Sequence, residues 1–229
     1  MKKILSICML LLLVIGMSAC QGEEEKPVSQ NNSQNQEGIK GEKILIAYFT
    51  FPETDGTDTS SSASRIVDNG ELKGATEYVA KVIKEQTNGE LFQIETKQTY
   101  PGTHEPLVAQ ASEEQSKNAR PELKREVDNL SEYDIVFIGY PNWWGDMPMP
   151  LYTFLENSDL AGKTIIPFNT HGGSSFSSTI DEIKRLQPKA TVVEDGLTIS
   201  RDNVADSESE IIQWVNGLGI ESNKWEEYE

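Results

Sequence analysis

Residues Tyr133 to Pro148, YDIVFIGY followed by PNWWGDMP, constrain the fold more than any other stretch of the chain. Ile135 to Ile138 form a short apolar run without alternation, which suits a strand buried on both faces. The second half cannot simply continue that strand or open a helix. Pro141 removes a backbone donor, and Gly145 permits positive φ. Two adjacent tryptophans, Trp143 and Trp144, sit in this loop. Indole rings are costly to leave in water, so the loop is expected to cover something flat or to pack on a neighbour. In an open parallel sheet, ligands bind just past the carboxyl ends of the strands. The loop is therefore expected to hold the edge of a planar cofactor.

Further buried strands are expected at Lys43 to Thr50 (KILIAYFT) and Thr164 to Phe168 (TIIPF), the latter bent by Pro167. Leu91 to Thr96 is half alternating and suits an edge. Thr191 to Val193 and Leu197 to Ile199 are short strand pieces. Helical spacing of apolar residues predicts helices over Gly74 to Gln86, Pro106 to Lys117, Pro150 to Asn157, Ser178 to Leu186 and Asp202 to Leu218. In the last of these Val204, Ile211, Ile212, Val215 and Leu218 are expected to be buried. Strand and helix thus alternate. That order predicts an α/β fold, a doubly wound three-layer sandwich around a five-stranded parallel sheet. Between the first strand and the first helix, Phe51 to Asn69 reads as one long polar loop rich in Ser, Thr and Asp. Such loops are uncommon in compact domains and are functional or disordered.

The start of the chain reads differently. Met1-Lys2-Lys3 is positively charged, Ile4 to Met17 is apolar but short for a bilayer span, and Ser18-Ala19-Cys20 follows. Residues 1–19 read as a secretory signal peptide. The segment resembles a bacterial lipoprotein signal, which implies lipid on Cys20 and an extracytoplasmic protein anchored to the cell membrane. Residues 20–42 read as a flexible linker, residues 43–219 as the folded domain, and residues 220–229 as an acidic tail.

The formal charge of −17 argues against nucleic acid and anionic membrane surfaces as partners, and is compatible with a basic protein partner or with solubility alone. The two cysteines, Cys8 and Cys20, lie outside the domain, which leaves no cysteine-based metal site there. His104 and His171 are too few for a histidine-rich one.

Three loops should open on one edge of the sheet. The first joins Thr50 to Lys73-Gly74-Ala75-Thr76, where a glycine, two threonine hydroxyls and a helix N-terminus make a phosphate cradle or a plain helix cap. The second runs from Pro141 through Asn142, Trp143, Trp144 and Gly145 to Pro148. The third is Thr170, His171, Gly172, Gly173, Ser174, Ser175, Phe176 and Ser177, whose backbone N–H groups can form a nest for an oxyanion or a carbonyl. Together they suit phosphate at one end and a flat, hydrogen-bonding ring system at the other.

On these residues the chain resembles the flavodoxin-like family from about Lys43 to Gly219. The resemblance implies strand order 2-1-3-4-5 and FMN held by the loops after the first, third and fourth strands. Thr50 looks like the family's first hydroxyl, and Gly74-Ala75-Thr76 like its Gly-Asn-Thr. Residues Phe51 to Leu72 split that motif, and Lys73 replaces a threonine, where it could pair with phosphate. Trp144-Gly145-Asp146 is similar to the family's Trp-Gly-Asp, whose tryptophan stacks on the flavin. Gly172, Gly173, Ser174, Ser175 and Phe176 resemble Gly-Asp-Ser-Ser-Tyr, which implies Phe176 as an outer stacking aromatic. A second alignment, to Thr-Ser-Gly-Gly-Ser, places His171 on serine instead. The family implies an electron carrier with a redox protein partner. An FMN-dependent oxidoreductase acting on a quinone or similar small molecule, and a module of this fold without flavin, are the alternatives.

Overall fold

The computed structural model describes residues 39, 41, 43–55 and 62–220. The expected signal peptide, Cys20, most of the expected linker, residues 56–61 of the long loop and residues 221–229 lie outside the described residues.

The first strand, β1 (Ile44–Tyr48), shows how the chain makes a doubly covered sheet. Alternate residues point to opposite faces of a strand. Ile44, Ile46 and Tyr48 enter one apolar cluster; Leu45 and Ala47, followed by Phe49, enter the other. Both faces are therefore apolar, and each needs a helical layer. α1 (Ala75–Thr87) supplies Val79, Ala80 and Ile83 to the first cluster, and α5 (Glu208–Gly217) supplies Ile211 and Val215. α2 (His104–Ser116), α3 (Met149–Asn157) and α4 (Thr179–Leu186) supply Leu107, Leu151, Phe154 and Ile183 to the second. α1 ends where expected: Asn88 adopts the left-handed conformation, φ 56°, and its N–H donates to the Lys84 carbonyl.

The remaining strands are β2 (Arg65–Asp68), β3 (Glu71–Gly74), β4 (Glu90–Gln93), β5 (Ile135–Pro141), β6 (Thr164–His171), β7 (Thr191–Val192) and β8 (Leu197–Ser200). The main sheet is parallel, in the order β4-β1-β5-β6-β7, with β8 also on β6. β7 and β8 are two pieces of one line, so the expected order 2-1-3-4-5 holds and the Leu91 strand lies at the edge. The break between the two pieces has a cause. Pro167 stands in β6 opposite Ile138 and has no N–H for a neighbour. Gly196 passes so close that a Cβ there would lie 2.4 Å from the Pro167 carbonyl oxygen.

Several boundaries differ from the sequence reading. β5 runs on through Pro141 and β6 through His171, because Pro141 forfeits one donor only at the last rung. The next N–H, of Asn142, donates to the Thr170 carbonyl at 2.8 Å. The long polar loop is partly ordered: Ser62–Ser64 form a single 3-10 turn, and β2 and β3 pair as an antiparallel hairpin. Asn69 and Gly70 connect them with φ 51° and 80°, the two left-handed residues of a type I′ turn. α5 is shorter than Asp202 to Leu218. The Ser207 hydroxyl donates to the Val204 carbonyl and separates a preceding turn, Val204–Asp206, from the helix. Ile212 and Leu218 are only partly buried. The domain also begins before residue 43: Ile39 packs against the first cluster, and a Cβ on Gly41 would meet Ile135 at 2.8 Å.

Among the described residues, no helix is long and apolar enough to cross a membrane, and no cluster of His, Cys, Asp or Glu is arranged to hold a metal ion.

Candidate functional site

The carboxyl ends of β1, β5 and β6 lie side by side, and the strand order reverses between β1 and β5. This topological switch is where an open parallel sheet leaves a crevice.

At the β1 corner, Gly74 presses the first turn of α1 against Thr50; a Cβ there would fall 2.3 Å from the Thr50 hydroxyl. Thr50, Thr76 and Thr170 thus gather as the sequence suggests, but they are not open. Thr76 and Thr170 are fully buried, their hydroxyls are 3.1 Å apart, and the Thr170 hydroxyl donates to the Ala63 carbonyl at 2.7 Å. A threonine has one O–H. Since Thr170 gives its proton to Ala63, the Thr76 hydroxyl is the donor to Thr170. Thr50 reaches the Ser64 carbonyl at 3.4 Å. The Ser62–Ser64 turn therefore closes the expected phosphate cradle. Lys73, the candidate phosphate partner, is held instead on the hairpin by Asp68 at 2.6 Å.

The second loop is a tight turn. Trp143 and Asp146 exchange both backbone hydrogen bonds, at 2.9 and 3.0 Å, and Trp144 and Gly145 between them have φ 55° and 76°. A bulky residue in that region costs roughly 1–2 kcal/mol. Such retained strain marks sites where orientation matters. Asp146 fixes the turn to α3 by accepting from the Tyr152 hydroxyl at 3.0 Å and from the Met147 N–H at 2.7 Å.

The two indoles part company. Trp143 is buried, edge-on to Phe49 and Tyr100, with its N–H donating to the Ser64 hydroxyl at 2.8 Å. Its ring is part of the floor and not a ligand contact, which corrects its place among the candidates. Trp144 is 47% exposed, and its N–H reaches the Val108 carbonyl on α2 at 3.3 Å.

The third loop is tied to the second. The Asn142 and Asn169 amides both donate to the Ser175 carbonyl, at 2.9 and 2.8 Å, and the side-chain oxygens of both asparagines are buried without a partner. Gly172, Gly173, Ser174 and Ser175 are exposed. Gly173 has φ 125°, and its N–H donates to His171 Nδ1 at 2.8 Å, which places the proton of the neutral ring on Nε2. Burial lowers the pKa of His171. Phe176 does not face outward as implied. Its ring turns into the domain against Tyr140, 6.5 Å between centroids, and abuts Gly196. Apolar burial is worth more to this ring than an exposed position.

Sequence reasoning missed three groups at this edge. Arg201, just past β8, lies over Gly172, with a guanidinium nitrogen 3.0 Å from where a Cβ would stand. Glu53 is fully buried, and neither carboxylate oxygen has a hydrogen-bond partner. Burial raises its pKa to about 7, against the pull of its own backbone N–H, of Arg65 and of Arg201, and with help from Asp55. His104, at the first position of α2, brings its Nδ1 within 3.8 Å of Glu53. Arg201 could have been found from its place at a strand end. A lone acid in a polar run gave no sign of burial.

The arrangement offers a flat ring one exposed indole and a run of exposed backbone. It fits FMN at the ring end. At the ester end, the hydroxyls that the resemblance implies are already taken by the chain itself.

Comparison with known proteins agrees with the fold. The family profile of the flavodoxins matches residues 65–218. A flavodoxin from Maridesulfovibrio salexigens is 36% identical over 97 residues, covering 38% of this chain and 64% of that protein. The chain thus matches under two thirds of that relative's length. A candidate flavoprotein from Bacteroides uniformis has a solved structure with TM-score 0.59 and 30% identity, covering 77% of this chain and 99% of the other. A flavoprotein from Lactobacillus acidophilus, solved in complex with FMN, has TM-score 0.52 and 20% identity, covering 73% and 99%.

Proposed function

Because the chain belongs to the flavodoxin family, we propose that it is an FMN-binding electron-transfer protein with its flavin against the second and third loops. The observation that carries this reading is the strained Trp144-Gly145 turn beside the exposed Gly172 to Ser175 backbone, both at the topological switch of the sheet. FMN, when bound, supplies redox chemistry that protein side chains lack. The chain's own part is to present the Trp144 face, to leave amide donors and acceptors at the ring edge, and to exclude water from the floor with Trp143, Phe49 and Tyr100. The FMN complex of the Lactobacillus acidophilus protein supports this choice of flavin.

The acidic chain suits a basic redox protein as partner. Lipid on Cys20 would tether the domain outside the cytoplasmic membrane, and the polar residues after it would act as a spacer. Cys20→Ala is expected to move the protein from the membrane fraction to the medium. An unchanged membrane fraction would refute the lipid anchor.

Stacking on Trp144 should quench flavin fluorescence. Trp144→Ala is expected to brighten bound FMN and to weaken its binding by roughly 2- to 12-fold, the worth of about 0.5–1.5 kcal/mol for an aromatic pair. A fluorescence titration of both forms checks this. Bound FMN that stays equally quenched in the variant would place the ring elsewhere.

Glu53 favours a second reading, an FMN-dependent oxidoreductase of a small molecule. A buried carboxyl whose pKa stands at about 7 is suited to giving and taking a proton near neutral pH. Turnover of NADH or NADPH by the flavin-loaded protein would favour that reading over the carrier.

A further inference from the structure

Among its described residues, the inserted segment meets the sheet at the Ser62–Ser64 turn, and there it meets the donors that a phosphate would need. The Ala63 carbonyl accepts from the Thr170 hydroxyl at 2.7 Å, and Thr170 in turn accepts from Thr76. The Ser64 carbonyl accepts from the Thr50 hydroxyl at 3.4 Å. The Ser64 hydroxyl accepts from the Trp143 indole N–H at 2.8 Å. Three oxygens of one turn thus face three donor groups contributed by the ends of β1, β5 and β6. A phosphate group likewise presents three acceptor oxygens to donors converging from several loops. The contacts are not those of a loop lying loosely on a surface: Ala63, Ser64, Thr76 and Thr170 are all fully buried, and Thr50 nearly so.

We propose that the Ser62–Ser64 turn is a built-in, uncharged surrogate for the flavin's ester phosphate, so that this chain selects its ligand by the ring and not by the phosphate. The proposal rests on the flavin reading above. The Thr170 and Thr50 hydroxyl protons are spent on the turn, and that of Thr76 on Thr170. A dianion could take these hydroxyls only by displacing the turn and exposing the buried donors that it satisfies. The phosphate of a bound FMN instead projects into solvent. The Ser62–Ser64 turn is therefore a specificity element and not a decoration.

The test compares riboflavin with FMN on the full-length protein. A phosphate held by even one hydroxyl would make FMN tighter by roughly ten- to a hundredfold. The surrogate predicts dissociation constants for the two within about threefold, since the distinguishing group makes no buried contact. FMN that binds tenfold or more tightly than riboflavin overturns the proposal while leaving the flavin reading intact. Binding of neither ligand overturns the flavin reading and the surrogate with it. The phosphorus resonance of bound FMN gives a second reading without mutation. An exposed phosphate should titrate near its ordinary second pKa of about 6, as in free FMN. A resonance locked in the dianionic form across that range would show a buried, clamped phosphate and contradict the surrogate.

Discussion

At pH 8, Glu53→Gln is expected to unfold with a free energy about 3 kcal/mol greater than that of the wild-type chain, whereas at pH 4 the two should be alike. Burial raises the pKa of this carboxyl from the ordinary 4.5 to about 7. The folded state then holds its proton more tightly than the unfolded state does. Below pH 4.5 the group is neutral in both states and contributes nothing adverse. As pH rises from 4.5 to 7 the unfolded chain ionises first, and stability is lost at about 1.4 kcal/mol per pH unit. Above 7 the loss is complete. Glutamine has nearly the same shape and cannot ionise, so the variant escapes it. The groups that face the carboxyl are His104, Asp55, Arg65 and Arg201, and all of them remain in the variant. Urea denaturation of both proteins at pH 4, 6 and 8 isolates the Glu53 contribution, because other titrations cancel in the difference. A stability difference that does not change with pH would show that the carboxyl titrates alike in the folded and unfolded states and that burial does not shift it.

Gly139→Ala should cost about 3 kcal/mol, at the upper end of what overpacking a core entails. Gly139 lies in β5, between Tyr48 of β1 and Phe168 of β6. The Phe168 ring folds back over it, with Cζ, Cε2 and Cε1 at 2.1, 2.4 and 2.7 Å from the place a Cβ would take. Phe168 is fully buried in the cluster shared with α1 and α5, so its ring has no free space to turn into. The central strand must shift or the ring must leave its rotamer. A melting curve measures the effect. A variant within 0.5 kcal/mol of wild type would mean that the strands separate more easily than this packing allows. Because β5 carries the Trp143 to Asp146 turn at its end, a shift of this strand would also move Trp144.

The fold was legible because its strands are short and apolar on both faces. KILIAYFT and YDIVFIGY leave few choices other than a doubly covered parallel sheet, and helical spacing between them does the rest. Boundaries were harder. Pro141 reads as ending its strand and Pro167 as bending one, yet Pro141 still occupies the last rung and Pro167 stands opposite a gap in its neighbour, where a missing N–H costs little. The Asn69-Gly70 pair was a hairpin signal inside what reads as a polar loop. Which loops gather at the site was also legible, since they follow neighbouring strands. What each side chain does there was not. The contact between Ala63 and Thr170 joins residues 107 positions apart, and no local pattern announces it. The inward turn of Phe176 depends on the hollow above Gly196, and the burial of Glu53 on elements from four parts of the chain.

All of this converges on one claim, that a flavin ring lies on the Trp144 side of the open loops. Titration of flavin-free protein with FMN, followed by flavin fluorescence and visible absorbance, tests it most directly. The account predicts saturable binding of one FMN per chain, with the flavin emission strongly quenched. Emission and absorbance that remain those of free FMN at every protein concentration would contradict it and leave a flavodoxin fold without its flavin.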